Sequence, residues 1–177
     1  GQENCTEILL RSRPELVQSI HASFLECGAD AVETNTFGAN RLVLAEFGLE
    51  GDTRKLNQEA AEIARAACQA AGGQRYVLCS IGPGTRLLTL CQTDWSAMHA
   101  SYRTQIEGLL DGGVDALLVE TCKDTLQIRC AVHAALRALE DRGMGPEQLP
   151  IMVSVTVETT GTLLVGSEIA AVAATLR

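Results

Sequence analysis

The chain has 177 residues, enough for one domain, and 46 % of them are hydrophobic while only 3 % are aromatic. Its 14 basic and 22 acidic side chains give a net charge of −8, and no segment concentrates positive charge, so we expect no nucleic-acid partner. The sequence also lacks an apolar run near the roughly 18–20 residues that span a bilayer, so we expect no membrane partner.

Helical and strand patterns alternate along the chain. The capping-box pattern Ser12-Arg13-Pro14-Glu15 predicts the start of a helix, and Gly28 predicts its end. A short strand over residues 31–37 follows, and the remaining elements are predicted in this order: helices over 39–47 and 56–71, a strand over 76–81, a helix over 94–111, a strand over 116–120, a helix over 125–142, a strand over 151–157 and a helix from 167 to the end.

Apolar strands alternating with helices predict an α/β fold with a parallel sheet. Both a doubly wound sheet and a closed (β/α)8 barrel fit this pattern. The strands begin about 35–45 residues apart, so eight units would need on the order of 300 residues. Residues 28–32 and 113–117 repeat a Gly and an Asp before a strand, and aligning the glycines places Asn35 where Glu120 falls.

The strands end in polar and small residues, where ligands bind in parallel α/β folds. These ends cover residues 33–38, 80–85, 120–124 and 156–161. Buried polar groups need partners, so the ends predict a polar pocket, with helix capping by Thr and Asp as the alternative. Strand alternation puts Ala116, Leu118 and Glu120 on one face, which would direct a carboxylate into this pocket; the alternative for Glu120 is a structural ion pair with a neighbouring Lys or Arg.

The seven cysteines are odd in number and include no C-x-x-C pair. They are typical of buried thiols in a reducing cytoplasm rather than of a disulfide framework. The three histidines, His21, His99 and His133, fall in helical patterns away from the strand ends and are interpreted as residues on helix faces.

The chain resembles the homocysteine-binding domains of cobalamin-dependent methionine synthases over essentially all of its length. The resemblance lies in the segments ETNTFGANR (33–41), SIGP (80–83), GLLDGGVD (108–115), LVET (118–121) and MVSVT (152–156). It implies a partial (β/α)8 TIM barrel in which residues 1–177 form a single domain and supply about strands two to five, without the first strand and the C-terminal part.

The resemblance also implies a methyltransferase that makes methionine from homocysteine with methylcobalamin as donor. Glu120 would hold the amino group of homocysteine, and Asn35, Thr36, Ser80 and Gly82 would line the same pocket. The partners implied are the rest of the barrel and the folate and cobalamin domains. Zinc would be bound by three cysteines, one after the sixth strand and an adjacent pair near the last.

The sequence departs from that pattern because it ends before the sixth strand and has no Cys-Cys pair. Cys122 lies nearest the pocket, but one thiol is not a zinc site. We therefore expect no metal ligands and no catalytic residues within these residues, and no activity from them alone. The alternatives are a betaine- or S-methylmethionine-dependent homocysteine methyltransferase, an inert barrel fragment, and an unrelated barrel enzyme.

Overall fold

The computed structural model describes residues 3–176, which form four β-strands and seven α-helices. The strands are β1 (Ala31–Glu33), β2 (Tyr76–Ile81), β3 (Ala116–Cys122) and β4 (Ile151–Val155). The helices are α1 (Leu9–Ser12), α2 (Pro14–Glu26), α3 (Arg41–Leu44), α4 (Thr53–Ala71), α5 (Trp95–Asp111), α6 (Thr125–Glu140) and α7 (Ile169–Thr175). Short 3-10 turns cover Thr6–Ile8, Ala45–Phe47 and Glu50–Asp52.

The four strands form one sheet in the order β1-β2-β3-β4, and every neighbouring pair is parallel. The α/β prediction is therefore confirmed. Each crossover adds its strand on the same side as the one before. A doubly wound sheet reverses direction at a switch point, and none occurs among the described strands. All four carboxyl ends consequently lie at one edge of the sheet.

The helices cover one face of the sheet and form the main hydrophobic core with it. Alternate residues such as Val77, Cys79, Leu117 and Val119 point into this core and are fully buried. Helix α5 approaches α4 closely at a glycine: a Cβ on Gly108 would lie 2.2 Å from the carbonyl oxygen of Arg54. The opposite face of the sheet is less covered, with Tyr76 and Met152 exposed by 41 % and 46 %.

Most element boundaries agree with the sequence patterns, including the start of α2 at Pro14, but the predicted cap of this helix does not. Ser12 was predicted to cap this helix, and the structure instead makes it the last residue of α1, with its hydroxyl donating to the carbonyl of Ile8. Arg13 occupies the N-cap position without a side-chain hydrogen bond. The capping-box prediction is therefore wrong, because the preceding turn already uses the Ser12 hydroxyl.

The first strand and the helix after it are shorter than predicted. Strand β1 ends at Glu33 because the chain turns there: Thr36 N donates to the carbonyl of Thr34 at 2.9 Å. The helix expected over residues 39–47 is α for only one turn and continues as 3-10, although Asn40 caps it with its side chain. None of the helices in residues 3–176 combines the length and the apolar character that crossing a membrane would require.

Candidate functional site

A cavity of about 690 Å³ lies at the carboxyl ends of the first three strands. Its polar wall comes from the ends of β1, β2 and β3. Its apolar wall comes mainly from the N-terminal segment (residues 6–9) and from α2. The polar residues on the sheet side are Glu33, Thr34, Asn35, Ser80 and Glu120. The strand-end composition had predicted such a pocket, and the structure shows that the first three ends meet there.

Glu120 and Ser80 form the central polar contact of this cavity. The Ser80 hydroxyl donates to Oε1 of Glu120, which joins the ends of β2 and β3. Glu120 lies on the face opposite Leu117 and Val119, which are in the helix-covered core, so the alternation predicted for β3 is confirmed. The carboxylate is thereby held in one direction at the cavity wall.

The backbone of Ser80 is fixed by two buried threonines from the loop after β1. Ser80 N donates to Oγ1 of Thr34 at 3.1 Å, and Oγ1 of Thr36 donates to the Ser80 carbonyl at 2.7 Å. The two threonine hydroxyls lie 2.6 Å apart. Thr36 is completely buried, so its contribution to this site is to hold the backbone that carries Ser80.

The residue after Glu120 adopts a backbone conformation that is rare for its type. Thr121 has φ = 58°, in the left-handed region, and β-branched residues are strained there. The pairing of β3 with β4 shifts register between Val119 and Cys122, around the same point. Such irregularities redirect side chains at sheet edges and next to binding sites. At this position the irregularity directly adjoins Glu120.

Glu33 is a second carboxylate on the cavity wall. It remains accessible to solvent in the open cavity, yet nearby protein atoms desolvate it. This desolvation, and then the negative charge of Glu120, raise the pKa of Glu33. Glu33 belongs to the polar strand end at residues 33–38 but was not among the predicted site residues, whereas the repeat aligned Asn35 with Glu120. In the structure Glu33 is the β1 residue whose ionisation the negative charge of Glu120 disfavours.

The loops that follow β1 and β2 touch through glycine. Gly82 N donates to the carbonyl of Phe37 at 3.1 Å, and a Cβ on Gly82 would lie 2.6 Å from that same oxygen. The first loop is also tied to the N-terminal segment. Asn35 Nδ2 donates to the carbonyl of Thr6 at 2.9 Å, and Gly38 N donates to Oε1 of the buried Glu7 at 2.7 Å.

Buried amide side chains on the helices support these loops from behind. Gln105 on α5 donates to the carbonyl of Thr36 at 2.8 Å, and Asn57 on α4 donates to the carbonyl of Ala39 at the same distance. Gln127 on α6 donates to the Pro83 carbonyl. Sequence reasoning missed all three. The available signal was a polar residue at a helix position whose periodicity faces the core.

His21 lies on α2, as its helical pattern predicted, but its ring is buried and lines the cavity rather than a solvent-facing surface. Its Nε2 has no hydrogen-bond partner within residues 3–176. Burial lowers the pKa of His21, because the charged imidazolium is desolvated there. His99 and His133 lie on the other side of the fold, where their rings contact each other between α5 and α6 with 3.0 Å between nitrogens.

The described cysteines do not provide a metal site. All seven are free, and no group of three or more His, Cys, Asp or Glu side chains in residues 3–176 is arranged to hold a metal ion. Cys122, the one nearest the cavity in sequence, is fully buried, and burial followed by the charges of Asp124 and Glu120 raises its pKa to about 12. In the absence of a metal ion, such a thiol stays protonated at neutral pH.

The structure places three of the five predicted site residues on the cavity wall: Asn35, Ser80 and Glu120. Thr36 lies behind that wall as part of the Ser80 support. Gly82 lies at the contact between the two loops. The five residues are therefore close together, but they have different surroundings.

The sequence profile of the homocysteine S-methyltransferase family matches residues 2–177. The chain belongs to this family. It is 46 % identical over 174 residues to the methionine synthase of Mycobacterium tuberculosis and 45 % identical to that of Mycobacterium leprae. Each alignment covers 97 % of this chain and 14 % of the relative, so the chain spans about one seventh of the length of these methionine synthases.

Solved structures of the same family share the fold. The homocysteine methyltransferase MmuM of Escherichia coli, in its metallated form, superposes with a TM-score of 0.77 at 26 % identity. That alignment covers 95 % of this chain and 60 % of MmuM. The apo form of MmuM has a TM-score of 0.72 at 24 % identity, covering 99 % of this chain and 62 % of MmuM.

Proposed function

We propose that the cavity between β1, β2 and β3 binds homocysteine, and that the chain is part of a methionine synthase that methylates the homocysteine thiol. The observation that carries the proposal is the Glu120 carboxylate, which Ser80 fixes at the cavity wall in a member of the homocysteine S-methyltransferase family. A carboxylate in that position pairs well with an α-ammonium group.

Homocysteine has an ammonium group at one end and a thiol at the other. Glu120 binds the ammonium group, which anchors the amino-acid end and leaves the thiol free to reach the methyl donor. The reaction requires the thiolate as nucleophile, because a thiol attacks poorly. Methyl transfer forms the new S–CH3 bond as the bond to the donor breaks. In our proposal methylcobalamin on another domain is that donor.

The family also implies zinc, and the described residues do not fit a zinc site. A structural or catalytic zinc requires at least three protein ligands, and no such group exists in residues 3–176. The buried thiols Cys79 and Cys122 both have pKa values raised to about 12 by desolvation. We therefore propose that the cysteine ligands of zinc lie elsewhere in the protein.

We further propose that residues 1–177 form one partial domain that supplies about strands two to five of a (β/α)8 barrel. Three observations support this: the sequential parallel order of the strands, the exposed Tyr76 and Met152 on the uncovered sheet face, and the 60 % of MmuM that the chain covers. Open sheet edges bind further strands readily. The rest of the barrel, and folate and cobalamin domains, would be the partners.

A homocysteine methyltransferase that uses betaine or S-methylmethionine is the second candidate. The comparisons favour a methionine synthase, because the identity is 46 % to the Mycobacterium tuberculosis enzyme and 26 % to MmuM. Incubating the intact protein with homocysteine and each methyl donor in turn would separate the two, since only the proposed enzyme makes methionine from methylcobalamin.

Calorimetric titration of the intact protein with L-homocysteine tests the binding proposal. We expect saturable binding that weakens by about 10- to 100-fold in Glu120→Gln, the loss that removing a charge-assisted hydrogen bond causes. Glu26→Gln is the matched control, because Glu26 is exposed on α2 and does not line the cavity. No saturable binding by the wild type, or equal binding by Glu120→Gln, would contradict the proposal.

A further inference from the structure

Glu33 has no assigned partner on the cavity wall. It is the last residue of β1, and its neighbour Val32 points into the helix-covered core. Within residues 3–176 its carboxylate accepts no hydrogen bond and forms no ion pair, although it lines the same cavity as Ser80 and Glu120. A carboxylate in such a place is available to a ligand.

The cavity wall holds these two carboxylates without a positive side chain to balance them. Its lining includes no Lys or Arg. Its one imidazole, His21, is held towards the neutral form, because burial lowers its pKa. The charge of Glu120 also contributes to the raised pKa of Glu33, so the two carboxylates repel each other. Neighbouring like charges are costly in a partly desolvated site unless a cation lies between them or one is protonated.

An ammonium group matches this arrangement. It has three N–H donors and one positive charge. Glu120 alone offers it few acceptors, because Oε1 of Glu120 already accepts from Ser80. A second carboxylate supplies further acceptors and a second negative charge. We infer that Glu33 and Glu120 together bind the protonated α-amine of the acceptor, so that Glu33 is a specificity-determining residue. The inference rests on the proposed function and assigns the amine to both residues.

The test compares homocysteine with 4-mercaptobutyrate, which is homocysteine without its amine. The Kd of 4-mercaptobutyrate divided by the Kd of homocysteine, both measured by calorimetry on the intact protein, reports amine recognition alone. We expect Glu33→Gln to lower this ratio by about 10-fold through weaker homocysteine binding, with 4-mercaptobutyrate bound equally or better. The ratio is expected to be unchanged in the exposed control Glu26→Gln.

The outcomes separate this inference from the proposed function. If the wild type does not bind homocysteine, both are overturned. If the wild type binds it and Glu33→Gln retains the wild-type ratio, only the role of Glu33 is overturned, and Glu120 alone recognises the amine.

A second measurement uses only wild-type protein, so it does not depend on whether a variant folds. An ammonium group beside Glu33 favours its ionised form, so wild-type protein should release protons on binding homocysteine across the acidic pH range in which Glu33 titrates. Titrations in two buffers of different ionisation enthalpy give this release, and 4-mercaptobutyrate corrects for any contribution from the thiol. Equal proton release with both ligands would overturn the inference.

Discussion

Ser80 donates a hydrogen bond from its hydroxyl to the Glu120 carboxylate, joining the ends of β2 and β3 at the cavity. The serine is itself held through its backbone by Thr34 and Thr36. The direction of Glu120 therefore depends on the loop after β1 as well as on its own strand.

Replacing Ser80 with alanine tests this dependence. Ser80→Ala removes the donor that holds Glu120, and we expect homocysteine to bind about 5-fold more weakly, since one hydrogen bond contributes about 1 kcal/mol. Calorimetric titration measures the change. Ser96→Ala, an exposed serine near the start of α5 and outside the cavity lining, is the control and should bind as the wild type does. Equal affinity in both variants would contradict the role given to Ser80.

Gly82 allows the loops after β1 and β2 to touch. A Cβ in Gly82→Ala would lie 2.6 Å from the carbonyl oxygen of Phe37, so a backbone segment must move. We expect the free energy of unfolding to fall by about 1–3 kcal/mol, as in other overpacked sites, and homocysteine affinity to fall with it. Urea denaturation measures the first and titration the second.

Gly51→Ala is the matched control for that substitution. Nothing lies within 4 Å of a Cβ at Gly51, and its φ is not in the left-handed region. This variant should be as stable as the wild type or slightly more stable. If Gly82→Ala is tolerated as well as Gly51→Ala, the loops are not in the close contact that the structure shows.

The sequence predicted the helix and strand order, the parallel sheet and the polar strand ends, because periodicity and turn residues report local structure directly. It also selected Glu120 from alternation within one strand. It could not show that Ser80 contacts Glu120, since their pairing depends on the register between β2 and β3. The buried Gln105 and Gln127 were missed for the same reason: their partners are loop carbonyls 69 and 44 residues away.

One helix cap and one strand boundary were wrong where a side chain competes with regular structure. Ser12 donates to the carbonyl of Ile8 instead of capping α2, and Thr34 and Thr36 bond across to Ser80 instead of extending β1. Serine and threonine hydroxyls offer the backbone such alternatives, and only the tertiary structure decides between them. The departures at Thr34 and Thr36 lie directly at the candidate site.

Thr121 carries backbone strain beside Glu120. Glycine tolerates φ = 58° without the cost of about 1–2 kcal/mol that a side chain causes there, while its extra chain entropy costs about 0.5–1 kcal/mol. We therefore expect Thr121→Gly to be as stable as the wild type or up to about 1 kcal/mol more stable in urea denaturation. Thr156→Gly, at a residue without positive φ, should lose about 1 kcal/mol. Equal losses in the two variants would show that Thr121 is not strained.

His21 gives the fold a pH dependence of known sign. Burial lowers its pKa in the folded protein, whereas the unfolded chain has the ordinary value near 6.5. As pH falls through about 6.5, the unfolded state takes up a proton more readily, so the stability that neutral His21 provides is present above this pH and lost below it. The free energy of unfolding should therefore decrease between pH 7.5 and pH 5.5.

Replacing His21 with leucine should flatten this dependence. The Nε2 of His21 has no partner within residues 3–176, so an apolar side chain leaves no new buried group unpaired. The measurement is urea denaturation at the two pH values for wild type, His21→Leu and His99→Gln. The pKa of His99 is also lowered, by desolvation first and then by the neighbouring His133, but it is less buried, so its variant should flatten the dependence less. A His21→Leu protein that loses as much stability on acidification as the wild type would place the responsible protonation elsewhere.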